Sequence, residues 1–317
     1  MIIIGMFIGS GFVSGKEIAV FFSRFGNFSY IFIPLAFILF FAGIFWILSH
    51  GERAEEKFNS SKSLIFISIL VNLIFTSSMM AGTIMSLKTK HIALTIMLIL
   101  ALLFLCYRVI KKGMGYLTKV NTILIPILII ALIICLLKNA NGGHVIESKN
   151  AVYAGFFALL YILMNLSSSC LVIGKLGSDM SKKSRIYVSL FSSLILTVLL
   201  LGINYTLLSN ENSLDLTFPL LEMSEGYVFY LMKFVLFIGC LTSVLSIVFV
   251  NSKALLSLGL KGFINYLVCV CLPLVISMFG FGNIVSYLYP LASILGGLIL
   301  VSLYFVPCKK LQYASKK

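Results

Sequence analysis

Charged residues are scarce in this sequence, and their scarcity excludes most soluble proteins. Only 11% of the 317 residues are charged, whereas 60% are hydrophobic and the mean hydropathy is +1.10. A soluble globular protein carries about 25% charged residues. Most of the chain is therefore expected to lie in a lipid bilayer, as an all-α integral membrane protein.

Motifs for catalysis, metal binding and nucleic-acid binding are also lacking. The seven cysteines show no CxxC spacing, and all three histidines fall in predicted loops. There is no phosphate loop, HExxH motif or Ser/His/Asp set, so we expect neither an enzyme nor an organic cofactor. The net charge of +14 comes from basic residues scattered over short loops. That distribution is typical of membrane topology, and we expect no nucleic-acid partner.

Apolar runs long enough to cross a membrane recur ten times. About 20 apolar residues are needed for one helical span. We predict spans at 2–24, 27–48, 64–87, 91–110, 117–138, 151–174, 186–208, 227–250, 262–280 and 283–306. With the N-terminus in the cytoplasm, 17 of the 24 Lys and Arg residues lie on the cytoplasmic side and five on the other, while Lys16 and Lys233 lie within spans. This bias predicts that both termini are cytoplasmic.

The spans divide into two halves of five, within a single transmembrane domain covering 1–317. We predict one repeat over 1–138, an inverted second repeat over 151–306, and a basic cytoplasmic tail over 307–317. The first span of each half has a polar interruption, at 9–15 and at 165–169, and the third span of each carries a Ser/Thr cluster. Interrupted segments at matching positions point to a transporter site, so helices 1 and 6 are predicted to be discontinuous.

The first span is the most unusual segment. It carries glycines at 5, 9, 11 and 15 and an acidic residue, Glu17. Irregular backbone at membrane depth is tolerated where it is buried in protein or lines a watery cavity. The alternative is close helix packing, because small residues four apart also favour that. We favour a break, with a substrate site formed by these residues: Gly9, Ser10, Gly11, Phe12, Ser14 and Gly15.

The stretch from Gly9 to Ile18, GSGFVSGKEI, resembles the glycine-rich signature of the YkvI-type bacterial membrane proteins. Weaker matches are Met80-Ala81-Gly82, Asn121 with Pro126, and Tyr161 with Asn165-Leu166. The resemblance implies membership of the amino acid–polyamine–organocation transporters and a LeuT-type fold in a bacterial cytoplasmic membrane. Family members usually have more than the eight residues that precede Gly9 here, so we expect either a stunted inner half of the first span or an earlier start.

Four further groups of residues are candidate site residues. Tyr161, Asn165, Ser167 and Ser168 would extend the substrate site from a second break, or else act as interhelical hydrogen-bond partners. Glu17 would carry a proton, gate the site or attract a substrate ammonium; the alternatives are snorkelling and pairing with Lys233. Thr242 and Ser243 resemble the hydroxyl pair of sodium-coupled carriers, although such hydroxyls often bond their own helix. Among aromatic neighbours, Tyr287 is a further candidate for contact with the substrate.

These observations favour an ion-coupled secondary transporter of a small organic substrate, an amino acid being favoured, that works by alternating access. The coupling ion, Na⁺ or H⁺, is left open, and no other metal is expected. The rival hypothesis is an amino-acid-sensing receptor of the spore-germination type, which binds without net transport. The expected partners are the small-molecule substrate and the lipid bilayer, and the sequence does not indicate an oligomeric state.

Overall fold

The computed structural model describes residues 2–87, 92–112, 114–139 and 150–305. These residues form helices and turns, with no strand among them. The helices are α1 Ile2–Phe7, α2 Ser10–Ser14, α3 Lys16–Phe21, α4 Ser29–Ser60, α5 Lys62–Leu87, α6 Ile92–Lys112, α7 Met114–Asn139, α8 Ala151–Gly177, α9 Lys182–Leu208, α10 Pro219–Glu222, α11 Gly226–Ser257, α12 Gly262–Phe279 and α13 Phe281–Tyr304.

Eight of these helices are long and apolar enough to cross a membrane: α4, α5, α7, α8, α9, α11, α12 and α13. Their outer faces are rich in exposed apolar side chains, including Val152, Leu137 and Ile123. Such surfaces need a lipid environment, because soluble monomers rarely expose contiguous apolar patches of this kind. The protein is a multi-pass, all-helical membrane protein. The ten-span inverted repeat stays a prediction, and the predicted basic tail at 307–317 lies outside the described residues.

The first predicted span does not form one helix. It is divided into α1, α2 and α3 by breaks at Gly9 and Gly15, and a turn over Ser23–Phe28 then leads into α4. The second predicted span, 27–48, continues to Ser60, because the charged stretch after it stays helical beyond a kink at His50.

The predicted discontinuity of the sixth span is wrong. α8 runs as one helix from Ala151 to Gly177 through the polar stretch 165–169. The physical reason is that these side chains bond to their own helix. The Asn165 amide donates to the carbonyl of Tyr161, and the Ser168 and Ser169 hydroxyls donate to the carbonyl of Asn165. The polar atoms are satisfied without breaking the backbone ladder.

α11 is the most enclosed of the long helices, with 89% of its most apolar window buried. It packs against α5 and α7 and also contacts the broken segment. Its inner position matters for function, because its hydroxyl groups can reach the exposed backbone of the first break.

α4 and α8 meet in direct backbone contact at the end of the molecule predicted to be cytoplasmic. A Cβ added at Gly51 would collide with the backbone of Gly174, and one at Gly177 would collide with the backbone of Leu48. Small residues at such a crossing allow two membrane helices to approach closely. The glycines of this crossing therefore serve packing, whereas Gly9 and Gly15 of the first span accompany breaks.

Candidate functional site

The first break lies between α1 and α2. Gly9 is extended, with φ −102° and ψ −170°, so that the helix ends before it and α2 starts anew at Ser10. The Ser10 amide donates to the sulfur of Met79, 2.9 Å away, and the Ser10 hydroxyl donates to the same sulfur at 3.2 Å. A thioether is a weak acceptor. The start of α2 therefore carries two donors whose present partner is easily replaced.

The second break, at Gly15, needs glycine. Its φ of +83° is left-handed, a region that disfavours side chains bearing a Cβ. The Gly15 amide donates to the carbonyl of Phe12, and the Ser14 hydroxyl donates to that of Gly11. Leu220 of α10 covers this turn, because a Cβ at Gly15 would lie only 3.1 Å from its Cγ. The loop between the predicted spans 186–208 and 227–250, which contains α10, therefore packs against this end of the broken segment.

Glu17 turns inward. It is only 2% exposed, and a Cβ added at Gly11 would collide with its Oε1, Cγ and Cδ atoms. The glutamate side chain therefore occupies the space left by the missing side chain of Gly11. The Glu17 side chain therefore does not snorkel toward the outer surface.

The Glu17 carboxylate borders a small cavity, which we call the Glu17 chamber. Its volume is about 20 Å³, close to that of a single water molecule. Its lining residues are Met6, Phe7, Glu17, Phe75, Met79, Met164, Asn165, Ser168, Ile247 and Tyr289. Within the described parts of the chain, the carboxylate has neither a hydrogen-bond donor nor a cation beside it. The predicted alternative partner, Lys233, lies over the ring of Phe229 at 5.8 Å.

An aromatic cluster around Tyr161 reaches the chamber through Phe40, which packs against the lining residue Phe7. The ring of Tyr161 is 1% exposed and packs against Phe21, Phe22 and Phe40, with centroids 5.6, 5.2 and 6.1 Å away. Tyr289 lines the chamber together with Glu17, whereas the predicted site residue Tyr161 does not line it. Tyr161 therefore anchors α3 onto α8.

A chain of hydroxyl groups ties α13 and α5 to the start of α2. The Tyr289 hydroxyl donates to Ser78 Oγ at 2.7 Å, and Ser78 Oγ lies 3.3 Å from Ser10 Oγ. All three residues are fully buried. The predicted aromatic contact, Tyr287, is instead 74% exposed. Tyr289 follows a π-helical turn at Ile284–Leu288, and one extra residue in a turn changes which side chain faces inward.

On the other side of the first break, Ser243 of α11 holds the end of α1. Its hydroxyl oxygen lies 3.3 Å from the carbonyl oxygen of Gly5 and 3.0 Å from that of Ile8, so it can donate to either. The neighbouring Thr242 hydroxyl bonds within its own helix, to the carbonyls of Ile238 and Gly239 at 3.0 and 3.1 Å. Hydroxyl and carbonyl oxygens from α1 and α11 therefore converge here.

The predicted residues are thus divided among several places. Glu17, Asn165 and Ser168 line the chamber. Ser167 faces α13, because a Cβ at Gly296 would collide with its hydroxyl oxygen. Phe12 is fully buried but does not line the chamber.

Sequence reasoning missed Met79, Ser78 and Tyr289. Ser78 was visible as one of three consecutive polar residues. In the structure, Thr76 and Ser77 bond to their own helix, and only Ser78 pairs with another helix.

Oxygen ligands suit a hard cation, and the oxygens at Ser243 are of this kind. Among the described residues, no group of three His, Cys, Asp or Glu side chains is placed to hold a transition metal.

Comparison with known proteins gives one distant relative and no family assignment. No family model matches the chain. The uncharacterized protein YyaD of Bacillus subtilis is 23% identical, over 97% of this chain and 95% of the relative. That name states no activity, and the YkvI-type resemblance stays a prediction.

Proposed function

We propose that this protein is an ion-coupled secondary transporter that moves a small zwitterion, such as an amino acid, by alternating access. The observation that carries the proposal is the divided first segment, whose two ends are held by different helices around a buried carboxylate. Ser243 of α11 holds the end of α1, whereas Ser78 of α5 contacts the start of α2. Broken helices of this kind form the substrate sites of transporters.

The chamber and the adjoining start of α2 together offer both poles that a zwitterion needs. The Glu17 carboxylate, which lacks a cation within the described residues, suits a substrate ammonium. The amide and hydroxyl of Ser10 suit a substrate carboxylate, because their present acceptor is the Met79 thioether. Met79 also lines the chamber, so a movement of its thioether would open the Ser10 donors to the cavity that Glu17 borders. A buried polar group without a partner costs free energy, and a ligand that pairs with it recovers that cost.

In the present conformation the chamber is too small for the proposed substrate. A chamber of about 20 Å³ holds a water molecule and excludes an amino acid. A larger cavity of about 280 Å³ lies toward the predicted cytoplasmic side, lined in part by Val172 and Val250. These residues follow the chamber residues Ser168 and Ile247 by four and three positions, about one helical turn. We infer that the substrate passes between the two cavities when this thin wall opens.

The coupling ion proposed is Na⁺, bound where Ser243 meets the carbonyls of Gly5 and Ile8. A cation here would tie α1 to α11, and its release would free α1 to move. Glu17 then serves the substrate. Proton coupling through Glu17 is the alternative outcome of the test.

The test is a thermal-stability panel followed by counterflow in liposomes. Purified protein is heated with each common amino acid, in Na⁺ or in K⁺. A ligand at 100 times its Kd stabilises by about 2.7 kcal/mol. A stabilising amino acid whose effect needs Na⁺, and which exchanges across the liposome membrane, is the expected result. Binding without exchange would indicate a receptor, and a sodium-independent effect lost in Glu17→Gln would indicate proton coupling.

Two matched controls sharpen the test. Ser243→Ala should weaken the sodium dependence at least tenfold, whereas Ser193→Ala, whose hydroxyl bonds its own helix, should leave it unchanged. Glu17→Gln should abolish exchange, whereas Glu225→Gln, at an exposed position before α11, should not. Equal effects within either pair would contradict the proposed sites.

A further inference from the structure

A second large cavity lies on the lipid-facing side of the molecule, far along the chain from the Glu17 chamber. It is a groove of about 790 Å³ between α6, the end of α11 and the start of α12, and we call it the α6/α12 groove. Its volume falls within the range of about 300–1,000 Å³ that is usual for small-ligand pockets. Leu100, Phe104, Leu256 and Phe263 give it an exposed apolar lining.

The polar atoms in the wall of the groove are already engaged. The Tyr266 hydroxyl donates to the carbonyl of Leu103 at 3.1 Å, linking α12 to α6. The Asn265 amide donates to the carbonyl of Ser252 at 2.9 Å, linking α12 to α11. A small polar solute therefore finds no buried partner among these groups, and the wall presents hydrocarbon to an occupant.

The rim of the groove is cationic. Lys111 lines it, with Nζ 5.8 Å from the ring centroid of Tyr107, and forms no hydrogen bond or ion pair with the residues that the structure describes. Arg108, one helical turn from Phe104, lies over that ring at 5.8 Å. Lys261 immediately precedes α12. Long basic side chains of this kind extend from apolar surface toward a membrane interface.

The two stretches of chain that build the groove contain no acidic residue. All ten Asp and Glu residues lie outside 57–146 and 226–317, and the α6/α12 groove is built entirely from those two stretches. An anion is therefore the complement that this rim lacks. A second copy docked against the groove by a two-fold axis would add another acid-free surface and bring like charges together.

We propose that the α6/α12 groove is a binding site for one anionic phospholipid, with its acyl chain along the apolar wall and its phosphate beside Lys111. Basic pockets between membrane helices on the cytoplasmic side bind anionic head groups. The orientation predicted from the basic residues places the groove in that leaflet. The site is independent of the proposed transport activity, since it shares no lining residue with the Glu17 chamber.

The experiment is native mass spectrometry of the delipidated, detergent-solubilised protein. Phosphatidylglycerol and phosphatidylcholine with identical acyl chains are titrated separately. One phosphatidylglycerol should bind more tightly than any phosphatidylcholine. Lys111→Gln should weaken that binding about fivefold, since one basic residue near a membrane surface contributes about 1 kcal/mol. Lys183→Gln, an exposed lysine at the start of α9 on the same predicted side, is the matched control and should change nothing.

Filling the groove gives a second, charge-independent variant. Leu256→Trp should remove the tightly bound lipid while keeping Lys111, and the helical circular dichroism spectrum checks its folding. Equal binding of the two lipids, or equal losses in Lys111→Gln and Lys183→Gln, would overturn the proposal. Displacement of the lipid by glycerol phosphate at the same concentration would overturn it in favour of a soluble anion. A lipid-free dimer that Leu256→Trp dissociates would overturn it in favour of a second copy.

Discussion

The first predicted span and α8 are both apolar segments interrupted by polar and small residues, yet only the first is broken. The first span contains glycines at 9, 11 and 15, and its backbone changes direction at Gly9 and Gly15. α8 is interrupted in the same way by Asn165 and three serines, at 167–169, and it stays helical. The difference teaches that polarity alone does not break a membrane helix. A break needs a glycine, whose backbone can leave the helical conformation, and neighbouring side chains that bind the backbone groups left without helical partners.

The largest expected effect comes from placing a β-branched side chain at the left-handed break. Gly15→Val should lower the free energy of unfolding by about 3 kcal/mol, because a left-handed residue with a Cβ costs about 1–2 kcal/mol and overpacking against Leu220 adds about 1 kcal/mol. Chemical unfolding of the detergent-solubilised protein measures this change in the free energy of unfolding. Gly115→Val, where an added Cβ meets nothing within 4 Å, should cost nothing. Equal losses would mean that the break at Gly15 is not specified by glycine.

The next effect tests whether Gly11 makes room for Glu17. Gly11→Ala forces the carboxylate from the chamber and should cost about 2 kcal/mol as overpacking. Shortening the glutamate should relieve the collision, so Gly11→Ala combined with Glu17→Ala should be more stable than the sum of the two single changes predicts. A double-mutant cycle with a coupling free energy near zero would place Glu17 elsewhere.

A smaller effect is expected at the hydroxyl chain. Tyr289→Phe removes the donor to Ser78 and should cost about 1 kcal/mol, the usual net value of a hydrogen bond. Tyr287→Phe changes an exposed hydroxyl two residues away and should stay within about 0.5 kcal/mol of the parent protein. If the two variants have the same free energy of unfolding, α13 does not hold the break through Tyr289.

The smallest effect is expected in α8. Ser169→Ala removes a hydroxyl that bonds only to its own helix, and should cost no more than about 0.6 kcal/mol. The amide hydrogen-exchange rates of residues 165–173 should stay as slow as in the parent protein. Fast exchange in this stretch of the parent itself would show that α8 opens there, as the first span does.

Much of the fold was accessible from the sequence because it follows from hydropathy. Eight of the ten predicted spans coincide with helices long and apolar enough to cross a membrane, and a ninth, 91–110, coincides with α6. The glycines at 9 and 15 correctly predicted a break in the first. α4 was predicted too short, since hydropathy reports where the apolar stretch ends and the helix continues beyond it through Glu55 and Lys57.

The site was less accessible, for reasons that lie in particular residues. Periodicity cannot reveal the π-helical turn at Ile284–Leu288, so the inward position of Tyr289 was missed in favour of Tyr287. The partner of a Ser10 amide depends on which of several methionines faces it, and Met79 could be found only from the packing. Composition likewise does not distinguish a hydroxyl that bonds to its own helix from one that bonds to another helix. Thr242 is of the first kind and Ser243 is of the second.

The glycine contact between α4 and α8 has a mechanical consequence. Gly51 lies next to the kink at His50, where α4 divides into an arm of about 33 Å over 29–50 and a shorter arm of about 15 Å over 51–60. Backbone contact at that point makes it a fulcrum. A displacement of the short arm by a given distance moves the far end of the long arm about twice as far, in the opposite direction. Movements of the short arm at one face of the membrane would then be enlarged, and the accompanying forces reduced, at the other.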